Sequence, residues 1–270
     1  MPTFVHISDL HFGREQPEVI EGWFKATQAI RPDVVIISGD LTQRATDKEY
    51  RAAKQFLQSL PWPAFVIPGN HDMSATDLVE RFFRPWKKWE KYIQTPLEPV
   101  VKTPDYTLVG VNTARAAGWY FDWSRGRISK QQIATVQQGL QNVPETSLKI
   151  VVAHHPFWLP KESEYRDLVE RHNHALDAFQ PVGLDIVISG HVHSAYTQVV
   201  QGVLIVHSGT TFSNRLNEDN PNGFNVIRGD HTQLEVEFMR WDGLQFQVAE
   251  QREFRYSNGV WQQTAGLNSI

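Results

Sequence analysis

Short runs of aliphatic and β-branched residues recur along the chain, at Phe4 to Ile7, Val34 to Ile37, Ala64 to Ile67, Tyr106 to Val111, Lys149 to Val152 and Asp185 to Ile188. Runs of this kind, with little alternation of polar and apolar positions, predict strands buried on both faces. Between them apolar residues return at helical spacing over Pro17 to Ile30, Asp47 to Leu60, Ser129 to Leu140 and Glu164 to Phe179. Strand and helix in alternation predict an α/β fold with a largely parallel sheet and helices on both faces. After Gly190 the helical spacing stops. Strands are predicted around Val203 to Val206, Phe224 to Ile227, Leu234 to Met239 and Phe246 to Ala249, which points to a second, antiparallel-rich sheet packed on the first. No repeat, low-complexity tract or Gly/Ser linker interrupts the pattern, so one domain is expected over 1–270, with a core over about 1–230 and a β extension over about 231–262. The polar end, Asn258 to Ile270, is expected to be loosely held.

Two segments break the pattern. From Met73 to Thr95, Arg81, Phe82, Phe83, Arg84, Trp86, Lys87, Lys88, Trp89, Lys91 and Tyr92 crowd basic and aromatic residues together. This segment is predicted helical, with Pro85 permitting a break. It is read either as a lid that stacks a nucleobase or as an amphipathic helix with its aromatics turned inward, the second being preferred. The other segment sets Arg115 and Arg127 on either side of Trp119, Tyr120, Phe121 and Trp123 without a clear period, as in a substrate-facing loop or a solvated turn.

Composition narrows the chemistry. The chain has 270 residues and a net charge of −4, so no general attraction to nucleic-acid polymers or anionic lipid is expected. It has no cysteine, which excludes disulfides, thiolate metal sites, iron–sulfur clusters and thiol nucleophiles. Any metal must be held by nitrogen and oxygen. Met1 to Ile7 lacks a basic leader and a long apolar stretch, and no apolar run approaches the ~20 residues of a membrane helix, so a cytoplasmic protein without a membrane partner is expected.

The residues just past each strand carry the chemistry. The first strand leads into Asp9-Leu10-His11, the second into Gly39-Asp40, the third into Gly69-Asn70-His71-Asp72, the fifth into His154-His155-Pro156 and the sixth into Gly190-His191-Val192-His193. Carboxyl ends of parallel strands share one edge, where ligands bind. Asp9 and His11 can chelate one ion; His191 and His193 can do so if the local backbone is bent. Asp40 has two oxygens and can bridge two cations, Asn70 offers a neutral carbonyl oxygen, and His154 offers a ring nitrogen. Two divalent ions roughly 3.5–4 Å apart can activate a water and clamp a phosphoryl oxygen for in-line attack. Such a set of donors suits hydrolysis of a phosphoester.

In this order, Asp-x-His, Gly-Asp, Gly-Asn-His-Asp, His-His-Pro and Gly-His-x-His resemble the motifs of the calcineurin-like metallophosphoesterase superfamily over roughly the first 215 residues. The resemblance implies a four-layer α/β/β/α sandwich. It also implies one metal held by Asp9, His11, Asp40 and His193, and a second by Asp40, Asn70, His154 and His191. His71 would then act beside the leaving-group oxygen, with Asp72 orienting an active-site histidine. More narrowly, Gly39-Asp40-Leu41-Thr42, Asn112-Thr113, Gly126-Arg127-Ile128 and Ser208-Gly209-Thr210 are similar to the class III cyclic nucleotide phosphodiesterases. The protein-serine/threonine phosphatase branch carries Asp-Arg-Gly where this chain has Leu41-Thr42-Gln43, and a lipid A pathway branch carries Arg at the position of His71.

By that resemblance the substrate is a small phosphodiester, foremost a 3′,5′-cyclic nucleotide. A phosphomonoesterase, a nucleotide pyrophosphatase, a nuclease or a non-catalytic metal-binding scaffold are the alternatives. The cofactors would be two divalent or mixed-valence ions among Mn, Fe, Zn and Co. His155, Arg115 and Asn112 are further candidates near the substrate, His155 being as readily a hydrogen-bonded neighbour of the site. Asn214 and Arg215 are placed at its mouth, and His207 is read as structural. The antiparallel tail either packs on the sheet or forms a homodimer contact.

Overall fold

The structure is a computed structural model and describes residues 1–74, 77–116, 125–216 and 220–268. Its strands are β1 (Thr3–Ile7), β2 (Val34–Ile37), β3 (Ala64–Val66), β4 (Val100–Lys102), β5 (Tyr106–Val111), β6 (Leu148–Ala153), β7 (Ile186–Ser189), β8 (Tyr196–Val200), β9 (Val203–His207), β10 (Gly223–Gly229), β11 (Gln233–Trp241), β12 (Phe246–Ser257) and β13 (Val260–Asn268). Its helices are α1 (Pro17–Ile30), α2 (Asp47–Ser59), α3 (Leu78–Phe83), α4 (Lys87–Tyr92), α5 (Lys130–Leu140) and α6 (His172–Phe179).

Local chemistry sets the helix starts. Pro17 occupies the first turn of α1, where its missing N–H costs nothing. Thr46 caps α2 and Glu49 returns the bond to the Thr46 N–H; Ser129 and Gln132 do the same for α5. The helix predicted from Glu164 begins only at His172. The reason is that Val169 N–H donates to Pro156 O and Glu170 N–H to Gly126 O, so this backbone is committed to neighbouring segments before a helix can form.

Two mixed sheets result, in the orders β13-β12-β11-β10-β1-β2-β3 and β4-β5-β6-β7-β9-β8. The parallel runs are divided between them. β1, β2 and β3 pair in parallel in the first sheet, β5, β6, β7 and β9 in the second, and antiparallel strands extend both. This corrects the assignment of all six early strands to one sheet: a run that is apolar on both faces looks the same in either. The polar end also forms a strand, β13, paired along β12 out to Asn268, beyond the boundary near 262.

Alternate residues of each strand fill different layers. Phe4, Val34 and Ile36 meet Ile150, Val152, Ile186, Ile188, Leu204 and Val206 in a core between the sheets. Val5, Ile7, Val35 and Ile37 turn the other way, onto Val19 and Trp23 of α1, Tyr50 and Phe56 of α2 and Trp89 of α4. Val151, Val187 and Ile205 face Ile133 and Val136 of α5 and Leu176 and Phe179 of α6. The layers are therefore helix, sheet, sheet, helix.

The basic and aromatic segment forms two short helices with Pro85 in the break between them. In α4 the aromatics Trp89 and Tyr92 are buried, as the amphipathic reading expects, but in α3 Arg81 is buried and Phe83 is 81% exposed. The loop with Trp119, Tyr120, Phe121 and Trp123 lies outside the described residues.

Candidate metal centre

Five of the candidate ligands stand on strained backbone. Asp9, His11, Asp40, His191 and His193 have φ of 53°, 44°, 53°, 80° and 57°. The left-handed region is uncommon for residues other than glycine, and clusters of such residues mark functional sites. Here the bends do a geometric job. They turn Asp9 and His11 back toward each other after β1, and they split the two histidines beyond β7. His193 joins Asp9 and His11, while His191 joins His154 and His155; each trio offers one ligand atom per residue within 4.8 Å of the others.

Asp40 lies between the trios. Its Oδ2 is 3.8 Å from His11 Nε2 and 3.3 Å from His154 Nε2, and its Oδ1 accepts the His71 N–H at 2.8 Å. Asp9 Oδ1 is 3.2 Å from His193 Nε2 and 3.7 Å from His11 Nε2. The other Asp9 oxygen is spoken for, accepting from Ser8 Oγ at 2.7 Å and His191 N–H at 2.9 Å.

Tautomers follow from the partners. His11, His154 and His193 donate Nδ1–H to the backbone oxygens of Thr42, Ser38 and Arg215, at 3.3, 2.8 and 2.9 Å. A carbonyl oxygen only accepts, so the proton is on Nδ1 and each Nε2 lone pair points inward. His11 Nε2 and His193 Nε2 are 3.4 Å apart. Asp9 Oδ1, Asn70 Oδ1 and His154 Nε2 are buried with no hydrogen-bond partner. Lone pairs facing lone pairs in a buried pocket are costly unless a cation lies among them. The residues present therefore fit metal ions bound through nitrogen and oxygen.

Charge agrees with this. Burial works to raise Asp9 and Asp40, yet the neighbouring histidines hold both carboxyls well below the usual range, His193 foremost for Asp9 and His154 for Asp40. Burial works to lower His154, but Asp40 and then Asp9 raise it to about 9, so a metal at its Nε2 competes with a proton that Asp40 holds there. Burial dominates at His11 and His191, which are both lowered.

Two glycines let the loops that carry the site approach this closely. A Cβ on Gly190 would stand 1.8 Å from Ser8 Oγ and 2.6 Å from Asp9 Oδ2, and one on Gly69 would stand 2.2 Å from Asp40 Oδ1. Neither position tolerates a side chain without moving a candidate ligand or its support.

The remaining candidates divide. His71 is half-buried, donates Nδ1–H to Gln43 O at 2.8 Å and faces a cavity of about 250 Å³ lined by Asp40, Asn70, Arg166, His191, His193 and Arg215. Asp72 does not hold a histidine ring. It accepts from the N–H groups of Leu41, Thr42 and Gly69 at 3.2, 2.9 and 2.9 Å, tying the loop after β2 to the loop after β3. Burial, then the charge of Asp40, raises it to about 7. His155 shares its ring with Thr113 Oγ1 at 2.8 Å and lies 4.6 Å, ring to ring, from His191.

Arg115 and Asn112 are turned to other work. Arg115 pairs with Glu170 at 3.2 Å, and Asn112 Oδ1 accepts the Ala114 N–H at 3.2 Å; neither lines the cavity. His207 donates Nδ1–H to Ser194 O at 2.9 Å and stacks on Tyr196, a structural place. Arg166 was not anticipated, because its stretch from Lys161 to Asp167 alternates charges in the manner of a solvated surface.

The profile of calcineurin-like phosphoesterases matches residues 2–195. The chain belongs to the calcineurin-like phosphoesterase family. It is thus a hydrolase of phosphoesters with a plausible metal site. Among its relatives is a probable cyclic nucleotide phosphodiesterase of Coxiella burnetii, 26% identical over 200 residues that cover 71% of this chain and 75% of the relative. A 3′,5′-cyclic adenosine monophosphate phosphodiesterase of Haemophilus influenzae is 24% identical over 66% of this chain and 61% of the relative. A glycerophosphodiester phosphodiesterase of Enterobacter lignolyticus is 36% identical over 92 residues, 30% of this chain and 32% of the relative. Among solved structures, a dimetal phosphatase of Danio rerio superposes with a TM-score of 0.65 at 11% identity, covering 88% of this chain and 96% of that one, which bears on the fold alone. Among the described residues no helix is long and apolar enough to cross a membrane.

Proposed function

We propose that this phosphoesterase is a binuclear metal-dependent phosphodiesterase of small soluble substrates, with a 3′,5′-cyclic nucleotide foremost. The observation that carries the reading is the position of Asp40 Oδ2, within 3.8 Å of His11 Nε2 on one side and 3.3 Å of His154 Nε2 on the other. Asp9, His11, Asp40 and His193 would hold one cation; Asp40, Asn70, His154 and His191 would hold the other. Donors of nitrogen and oxygen without sulfur suit Mn, Fe, Zn or Co, with availability selecting among them. When bound, the pair of ions supplies Lewis-acid stabilisation of phosphoryl charge and a water acidic enough to attack.

The protein's own residues do the rest. Asp40 Oδ1 fixes the His71 backbone and Gln43 O fixes its ring, so Nε2 faces the cavity where a leaving oxygen would be. There His71, once its Nε2 also carries a proton, meets the alkoxide as it departs and offers it that proton or a hydrogen bond. Asp72 holds the loops of Asp40 and Asn70 in register, as carboxylates behind a metal site commonly do.

Support for a diester comes from two directions, since the relatives named for cyclic nucleotides and the one named for glycerophosphodiesters share that bond. A soluble nucleotide substrate would put the reaction in the cytoplasm. The test is a turnover screen of metal-loaded protein on cyclic nucleotides, glycerophosphodiesters, phosphomonoesters and pyrophosphates. Faster hydrolysis of cyclic nucleotides than of the other classes is expected; preference for a monoester or a pyrophosphate would overturn the reading.

A further inference from the structure

We propose that Arg215 is a catalytic residue of this centre, its guanidinium binding a non-bridging oxygen of the phosphodiester beside His71. The inference deepens the proposed phosphodiesterase function and rests on it for the identity of the ligand.

Position is the first support. Arg215 Nη1 is 3.0 Å from His71 Nε2 and 3.4 Å from His11 Nε2, and the side chain lines the same cavity as Asp40, Asn70 and His191. The second is that its backbone is tied to the centre. Arg215 O accepts from His193 Nδ1 at 2.9 Å and Thr210 Oγ1 at 3.1 Å, and its N–H donates to Ser213 Oγ at 3.3 Å. A guanidinium on so fixed a stem has little freedom to lose on meeting an anion.

The third support is its unspent charge. Arg115, Arg228 and Arg252 are paired with Glu170, Glu235 and Glu237, and Glu250. Among the described residues no carboxylate is within ion-pair distance of Arg215; its contacts are two imidazole nitrogens. One of these contacts cannot outlast metal binding, because His11 Nε2 has a single lone pair and cannot give it to a cation and to Arg215 together. The guanidinium likewise yields its contact with His71 when His71 Nε2 carries the proton meant for the leaving oxygen, and its N–H groups are then free for a phosphoryl oxygen, the acceptor its planar fork matches best.

Inorganic phosphate titrated into manganese-loaded protein tests this directly, beside hydrolysis of bis(p-nitrophenyl) phosphate. Arg215→Gln should keep its metal content, bind phosphate about tenfold more weakly and lose about 10²-fold in kcat/KM, while Arg215→Lys should recover part of both. Phosphate affinity within about twofold of the parent in a folded Arg215→Gln would overturn the proposal even if turnover fell, because an arginine that merely steadied His71 would lower the rate and leave anion binding alone. Should Arg215→Gln fail to fold, the comparison passes to Arg215→Lys, where unchanged affinity and rate at every pH overturn it equally. If the parent hydrolyses no phosphodiester yet loses phosphate affinity on substitution, the proposed function fails and the role of Arg215 in anion binding stands.

Discussion

The first sheet and the second bring different chemistry to the same edge. Strand ends of the first sheet supply both carboxylates, Asp9 and Asp40, with His11 and the amide of Asn70; strand ends of the second supply only imidazoles, His154, His155, His191 and His193. The anionic half is braced by backbone N–H groups and the Asp72 bonds, and the imidazole half by its Nδ1–H bonds to carbonyls. Neither half alone offers a full set of ligands. The two sets meet because the core between the sheets holds the edges together, so stability of that core and any affinity of the candidate site for metal should rise and fall together.

The largest expected effect comes from breaking the anionic half. Asp40→Ala should lose both cations and roughly 10³-fold or more in rate, whereas His154→Ala should lose one cation only. Metal analysis of the purified proteins checks the contrast, and equal metal loss would show that the halves are not unequal in this way. Next comes His71→Ala, which should keep its metal and lose about 10²-fold in turnover of a substrate with a poor leaving group. Gly190→Ala attacks the seam rather than either half. Its new Cβ is directed at Ser8 Oγ and Asp9 Oδ2, so a loss of about 1–3 kcal/mol in unfolding free energy is expected together with weaker metal binding, read by thermal melts with and without metal.

The smallest effect is expected at the other end of β7. There Asp185 accepts Lys149 N–H at 2.8 Å and the Trp261 indole N–H at 3.1 Å, a bond that crosses from the second sheet to the first. Burial, against those two donors, raises Asp185 to about 6. A carboxyl raised above its unfolded value of about 3.9 binds its proton more tightly when folded, so its contribution is fully present below about pH 4 and is lost as pH rises through about 6. Urea unfolding between those limits should show a falling contribution in the parent that Asp185→Asn lacks; parallel profiles would refute it.

How much of this was legible in the sequence depended on whether local pattern or tertiary pairing decides. α1 spans the residues its apolar spacing and Pro17 predict, and β2 and β5 match their runs. β13 was hidden because its exposed strand alternates too few apolar residues, Trp261 near its start being the only buried one among the described side chains, and pairing with β12 makes it a strand. The division of parallel strands between sheets left no mark in runs buried on both faces. At the site, the donor types and their order pointed to the edge where they meet. The parting of His191 from His193 did not follow from their spacing, since it depends on two bent residues. Arg215 had only a place in the chain to suggest it, and its nearness to His71 comes from the loop's bonds to His193 and Thr210.

The bent backbone at Asp9, His11, Asp40, His191 and His193 also governs how this protein can be silenced without being damaged. An alanine at any of them removes a candidate ligand and adds roughly 1 kcal/mol of conformational penalty, so its phenotype mixes two losses. Asparagine and glycine accept that conformation at little cost, so Asp9→Asn or Asp40→Gly removes the carboxylate charge with less backbone strain than alanine brings. By the same constraint, valine or isoleucine is barred from these five positions by the chain itself, whatever the demands of catalysis.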